Sequence, residues 1–142
     1  MEVTKIRSNC IEVTWPYVKD LLAKPLERSH GEYNLEDIYN LLVTEVMELW
    51  VGLNEENGIV VAATTQLDKY PNYNVLTICL VGAKTGTISK WLDYCVSNNS
   101  DIVKYAKQNN VKHIKIIARD GWKRKLEKFN YKKYATVLTK EL

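Results

Sequence analysis

The sequence predicts a mixed α/β (α+β) fold: a mostly antiparallel sheet flanked by helices, with one parallel βαβ crossover. Three observations predict it. Residues 75–81 and 111–118 are apolar and β-branched, and a helical stretch from Ile88 to about Asn109 separates them. A strand, a crossover helix and a second strand in one sheet must run parallel. Residues 47–53 and 59–67 read as strands joined through Asn57-Gly58, a pair that tolerates positive φ and so makes a tight antiparallel hairpin. The order β α α β β β α β α β places helical stretches before and after the strands, which calls for helices on both faces of one sheet.

The elements follow in order. Val3-Thr4-Lys5-Ile6 and Ile11-Glu12-Val13 alternate like strand or strand edge. Thr14 can cap a helix whose first turn tolerates Pro16 and whose stripe is Val18, Leu21 and Leu22. Pro25 ends or kinks it, having no amide hydrogen to give. His30-Gly31 is a loop, and Asn34 caps a second helix with Ile38, Leu41 and Leu42 on one face. After the hairpin, 70–74 is a turn, and the run 75–81 calls for burial on both faces. The long helix carries Ile88, Trp91, Leu92, Cys95, Ile102, Val103 and Ala106 as its stripe, with a kink or insertion at Asn98-Asn99-Ser100. Arg119-Asp120-Gly121-Trp122 breaks the next strand. Trp122, Leu126 and Phe129 then recur at helical spacing, and Asn130-Tyr131 opens a final alternating run to Leu142.

The 142 residues form one domain on this reading, 1–142, with no repeat or linker. A hydrophobic content of 46% suffices for a sizeable core, and no apolar run reaches the roughly 18 residues of a membrane span. No signal peptide is visible behind Met1, so the expectation is a soluble protein of the cytosol or of something assembled there. Cys10, Cys79 and Cys95 are scattered and odd in number, which reads as reduced, buried thiols. His30 and His113 have no ligand cluster around them, so no metal is expected.

Charge is unevenly placed. Residues 104–142 hold 12 of the 20 Lys/Arg and 3 of the 17 Asp/Glu, a net +9, and the first 103 residues carry net −6. A basic face made by Lys123, Arg124, Lys125, Lys128, Lys132 and Lys133 meets phosphates of a cofactor, nucleic acid, or an acidic protein surface; it reads equally as a solvated helix. No recognition-helix or RNA-binding signature accompanies it, so any nucleic-acid binding is weak and salt-sensitive.

Several local sequences, together with the element order, resemble the GNAT N-acetyltransferase fold, most closely small GNAT-like proteins of tailed bacteriophages. They are Glu48-Leu49-Trp50, Ala63-Thr64-Thr65, Tyr70-Pro71, Trp91-Leu92, Ile117-Ala118-Arg119-Asp120-Gly121-Trp122 and Tyr134-Ala135-Thr136-Val137-Leu138. The resemblance implies a V-shaped opening between strands 75–81 and 111–118, with coenzyme A in it and its pyrophosphate on amides at the start of the long helix. Acetyl-CoA is the cofactor if the chain is an enzyme, held by Val81, Ala83, Lys84, Thr85, Gly86 and Thr87; otherwise none is expected.

The match is incomplete where chemistry is done. The family's Gln/Arg-x-x-Gly-x-Gly/Ala loop becomes Ala83, Gly86 and Ile88, keeping one position of three. Lys125-Leu126-Glu127-Lys128-Phe129-Asn130-Tyr131 matches the shorter helix, but Leu126 stands where many members carry a proton-donating Tyr. Candidates for a base are Glu48, Glu45 and Asp68, and Tyr134 is the substitute acid. Trp122 is placed to plug the cleft. The resemblance therefore implies a degenerate, non-catalytic phage protein with a structural or assembly role, a virion or internal core component whose partners are other phage proteins or further copies of itself. It would be found in the host cytoplasm or packaged in the virion. The alternative is an active N-acetyltransferase acting on an amine.

Overall fold

The computed structural model describes residues 1–56, 58–95, 97 and 100–142. Asn57 of the expected hairpin turn, Asn98-Asn99 of the expected kink and the Cys95 side chain lie outside the described residues. The elements are β1 (Glu2–Ile6), α1 (Ile11–Glu27), α2 (Leu35–Val43), β2 (Glu48–Asn54), β3 (Gly58–Lys69), β4 (Asn74–Ala83), α3 (Ile88–Cys95), α4 (Asp101–Gln108), β5 (Val111–Ile116) and α5 (Lys123–Glu127). They form one sheet in the order β1-β2-β3-β4-β5. Its first three pairs are antiparallel and β4–β5 is parallel, as the crossover requires.

Helices cover both faces. α1 and α2 bury Ile11, Val18, Leu22, Ile38 and Leu42 against Leu49, Val51 and Ala62. On the other face Trp91, Leu92, Ile102, Ala106 and Leu126 pack on Trp50, Ala63, Leu76 and Ile78. Adjacent residues of β2 alternate between these two cores (Leu49 and Val51 to one, Trp50 to the other), which is the period-two signature of a strand buried on both sides.

Three expectations need correction. Residues 11–13 are the start of α1, not strand, and Thr14 lies inside that helix. Three alternating residues are too few to separate the two periods, and a 3-10 turn at Ser8–Cys10 already winds the chain into the helix. The long helix is two: Ser100 is buried and caps α4, its Oγ accepting the Val103 amide at 3.2 Å. The final strand is absent, since the chain has no helix or strand after α5. That helix closes at Asn130 (φ 67), where the Leu126 carbonyl accepts the amides of both Phe129 and Tyr131.

Other details hold. Asn34 caps α2 through a reciprocal pair, its Oδ1 accepting the Asp37 amide at 2.8 Å and its own amide donating to Asp37 Oδ2 at 2.9 Å. Pro25, by contrast, does not end α1: it lies inside the helix, which runs two residues further. Its missing N–H would have gone to the Leu21 carbonyl. That carbonyl lies against β4 at Gly82, where an added Cβ would sit 1.8 Å from it. Only glycine lets helix and strand backbones approach this closely.

Candidate functional site

β4 has two halves. Asn74 to Ile78 pair with β3 on one side and with β5 on the other. From Cys79 to Ala83 the strand keeps β3 alone, because β5 stops at Ile116 and the exposed Ile117 leads away. The parallel pair therefore opens beyond Ile78 and Ile116.

A bulge sits at the start of that opening. Thr65 faces Ile78 and Thr64 faces Leu80, so Cys79 is the extra residue. Cys79 and Leu80 both turn toward the α1/α2 core, and Ile78 and Val81 toward the opposite one. A bulge re-aims side chains and leaves its extra residue outside the ladder, which is why bulges recur beside reacting groups.

The upper end of β4 passes into the loop before α3. Lys84 donates its amide to the Val60 carbonyl at 2.8 Å, and Thr87 Oγ1 donates to the Lys84 carbonyl at 2.6 Å. Gly86 (φ 83) makes the turn between them, and an added Cβ there would meet nothing within 4 Å. The loop is thus tied down at both ends and open at its tip. Lys84, Thr85 and Gly86 are exposed, Thr87 is half-buried, and Val81 and Ala83 pack on the α3 side of the sheet. An anion approaching the first turn of α3 meets amides and the Lys84 charge, so this end suits a phosphate.

Two carboxylates flank the bulge on opposite faces. On the α1/α2 face, Asp68 accepts from Gln66 Nε2 at 3.1 Å and from Thr77 Oγ1 at 2.8 Å, so each of its oxygens is oriented by a donor. Burial pushes the Cys79 thiol up to about 11, and the Asp68 and Glu48 charges add to this while Lys115 opposes it. On the α4 face, Glu48 Oε2 accepts from Thr65 Oγ1 at 2.7 Å, and its Oε1 accepts from Tyr105 at 3.2 Å. Thr65 Oγ1 in turn accepts the Trp50 indole N–H at 2.9 Å. Burial raises the Glu48 pKa, and the Thr65 and Tyr105 hydrogen bonds oppose it. Burial and the Glu48 charge raise the Tyr105 hydroxyl to about 12. Glu48 also lines a cavity of about 330 Å³, with Lys5, Ser8, Glu45 and Lys69 among its walls.

The remaining candidates lie elsewhere. Glu45 is exposed and accepts from Ser8 Oγ at 3.0 Å. Leu126 is in the core at 5% exposure, and Trp122 is half-buried against that same core. Tyr134 is 96% exposed on the irregular last segment, not in a strand. Lys123, Arg124, Lys125, Lys128, Lys132 and Lys133 are all exposed. Among the described residues no three metal-ligating side chains meet, and no helix is long and apolar enough to cross a membrane.

The Gln66–Asp68–Thr77 and Glu48–Thr65–Tyr105 networks had no signal in single segments, because each joins side chains across strands or from another layer. The bulge at Cys79 was hidden inside the apolar stretch Ile78-Cys79-Leu80-Val81. The nearest local sign was Thr64-Thr65, two polar residues side by side inside an apolar strand.

Together the sheet order, the single parallel pair, its opening and the helices on both faces are the GNAT acetyltransferase fold. An aminoglycoside acetyltransferase from an uncultured soil metagenomic sample, solved with sisomicin, superposes with a TM-score of 0.67 at 12% identity, covering 99% of this chain and 95% of that one. Glucosamine-6-phosphate N-acetyltransferase from Arabidopsis thaliana gives 0.65 at 14% identity, covering 99% and 97%. A predicted acetyltransferase from Clostridium acetobutylicum, solved with acetyl-CoA, gives 0.63 at 17% identity, covering 99% and 95%. No family model and no curated protein sequence matches the chain.

Proposed function

We propose that the chain binds an acyl-coenzyme A at the β4–β5 opening and transfers the acyl group to an amine. One observation carries this reading: β4 runs on from its bulge at Cys79 with an edge that no described strand pairs, and ends in a tied, open-tipped loop at the start of α3. A free strand edge offers amide and carbonyl groups to an extended ligand, as another strand would. The loop and the helix start would take the phosphates.

The acyl transfer forms a C–N bond as the amine attacks the thioester carbonyl, and breaks the C–S bond. Asp68, half-buried on the α1/α2 side of the sheet and held by Gln66 and Thr77, receives the amine proton through water. Leu126 cannot protonate the departing thiolate, so that proton comes from solvent. Holding the amine against the thioester supplies much of the rate without a dedicated acid.

A second reading is favoured by Leu126 and by Ile88, which stand at the proton-donor and phosphate-loop positions of the GNAT pattern. It is a non-catalytic phage protein with a structural or assembly role, in the host cytoplasm or packaged in the virion.

Calorimetric titration with acetyl-CoA separates the two. The first reading expects micromolar binding that is lost in Gly86→Trp. An absence of heat and of thermal stabilisation overturns it, and purified particles then become the place to look for the chain at fixed stoichiometry.

A further inference from the structure

We propose that the cavity beside Glu48 binds a small zwitterion, an α-amino acid with an apolar side chain. The inference does not rest on acyl transfer. The cavity, about 330 Å³, lies at the end of the sheet where β1 and β3 finish and β2 begins. Lys5 of β1, Glu45 of the α2–β2 connection, Glu48 of β2, Lys69 of β3 and Tyr105 of α4 wall it. β3 and β4 stand between it and the β4–β5 opening.

Charge singles this cavity out. Two carboxylates, Glu45 and Glu48, and two ammonium groups, Lys5 and Lys69, line it, and among the described residues none of the four makes an ion pair. Lys5 Nζ stands 5.6 Å from the Tyr105 ring centroid, and Glu45 takes only the Ser8 hydroxyl. A ligand carrying both an ammonium and a carboxylate answers both signs at once. A plain amine or a plain acid answers one sign and is repelled by the other.

Glu48 is the anchor for the ammonium. It is half-buried, with Oε2 held by the Thr65 hydroxyl and Oε1 by the Tyr105 hydroxyl. Each carboxylate oxygen has a second accepting position. The side chain is fixed before a ligand arrives, so little freedom is lost on binding. An incoming ammonium supplies a counter-charge that neither hydroxyl provides. Lys5 and Lys69 are left for the carboxylate.

The rest of the wall chooses the side chain. Ile11, Leu42 and Leu67 line the same space. An apolar side chain meets them without loss, and a polar one leaves its groups unpaired. Apolar walls with a few placed charges are the usual make-up of a small-molecule site, and this volume lies toward the small end of such sites.

The test is calorimetric titration in the absence of acetyl-CoA, with L-leucine, L-isoleucine, L-methionine and L-phenylalanine as probes. Two analogues of the tightest binder follow: its amide, which lacks the carboxylate, and its deaminated acid, which lacks the ammonium. Saturable binding of at least one amino acid is expected, with each analogue weaker by about tenfold or more. Lys69→Met should narrow the gap to the amide alone. Glu48→Gln should narrow the gap to the deaminated acid alone, a split that a merely structural role would not produce. Absence of binding by all four at about 10 mM overturns the proposal. So does equal binding of the amino acid and both analogues, and so does a discrimination that survives both variants. Should Glu48→Gln fail to fold, Glu45→Gln, at an exposed position, takes its place in the same comparison. Because acetyl-CoA is left out, failure here leaves the acyl-transfer reading standing, and failure of that reading leaves this one standing.

Discussion

β3 and β5 share a liking for β-branched residues but not a fate. β3 lies between two strands and two helical layers, and six of its residues in succession, Val60 to Thr65, are buried. Among the described residues β5 has one strand neighbour and a helical layer on one face, and none of its side chains is more than half-buried. The difference teaches that position in the sheet, more than residue content, decides what a strand contributes. Interior strands hold the molecule together, and the edge strand leaves one side of the sheet open.

The contrast can be broken by mutation. Trp91, wholly buried against the interior strands, should cost about 3–5 kcal/mol when changed to Ala, read by urea denaturation. A loss under about 1 kcal/mol would mean that the α3 layer is not core. Gly82→Ala forces a Cβ into the Leu21 carbonyl, and should cost about 1–3 kcal/mol in the same measurement. A silent Gly82→Ala would mean that α1 can slide on β4. Ile117→Ser, just past the end of the edge strand, should stay within about 0.5 kcal/mol, read on the isolated chain at high dilution.

Glu48→Gln sharpens the contrast by pH. The folded-state pKa of Glu48 is raised, so between the unfolded and folded values the native state binds more protons. Its contribution is therefore most favourable below the unfolded value, and it is lost as pH rises through the folded one. The melting temperature of Glu48→Gln should gain on the unaltered protein as pH rises from acid to neutral. Parallel melting curves for the two proteins would refute a buried charge at this site.

Much of this architecture was legible from short-range pattern. The crossover, the hairpin strands and the α2 cap follow from residues within one or two turns of each other, such as Asn34 with Asp37. What escaped depends on distance in sequence. The final run 131–142 carries strand-type residues such as Tyr134, Val137 and Leu138, but suitable residues alone do not make a strand, and pairing requires an edge that faces it. Asp68 was one carboxylate among several until Thr77, nine residues on and in the neighbouring strand, proved to hold it. Glu48 likewise owes its environment to Tyr105 on α4, in a different layer.

The bulge has a consequence for labelling chemistry. Thiolate is the species that reacts with alkylating agents, and a thiol with a pKa of about 11 is ionised in roughly one molecule in ten thousand at neutral pH. Cys79 should be nearly inert to iodoacetamide in the folded protein and ordinary once the sheet opens. Its modification rate is then a clock for the loosening of β4, running at the place where a thioester would have to be received.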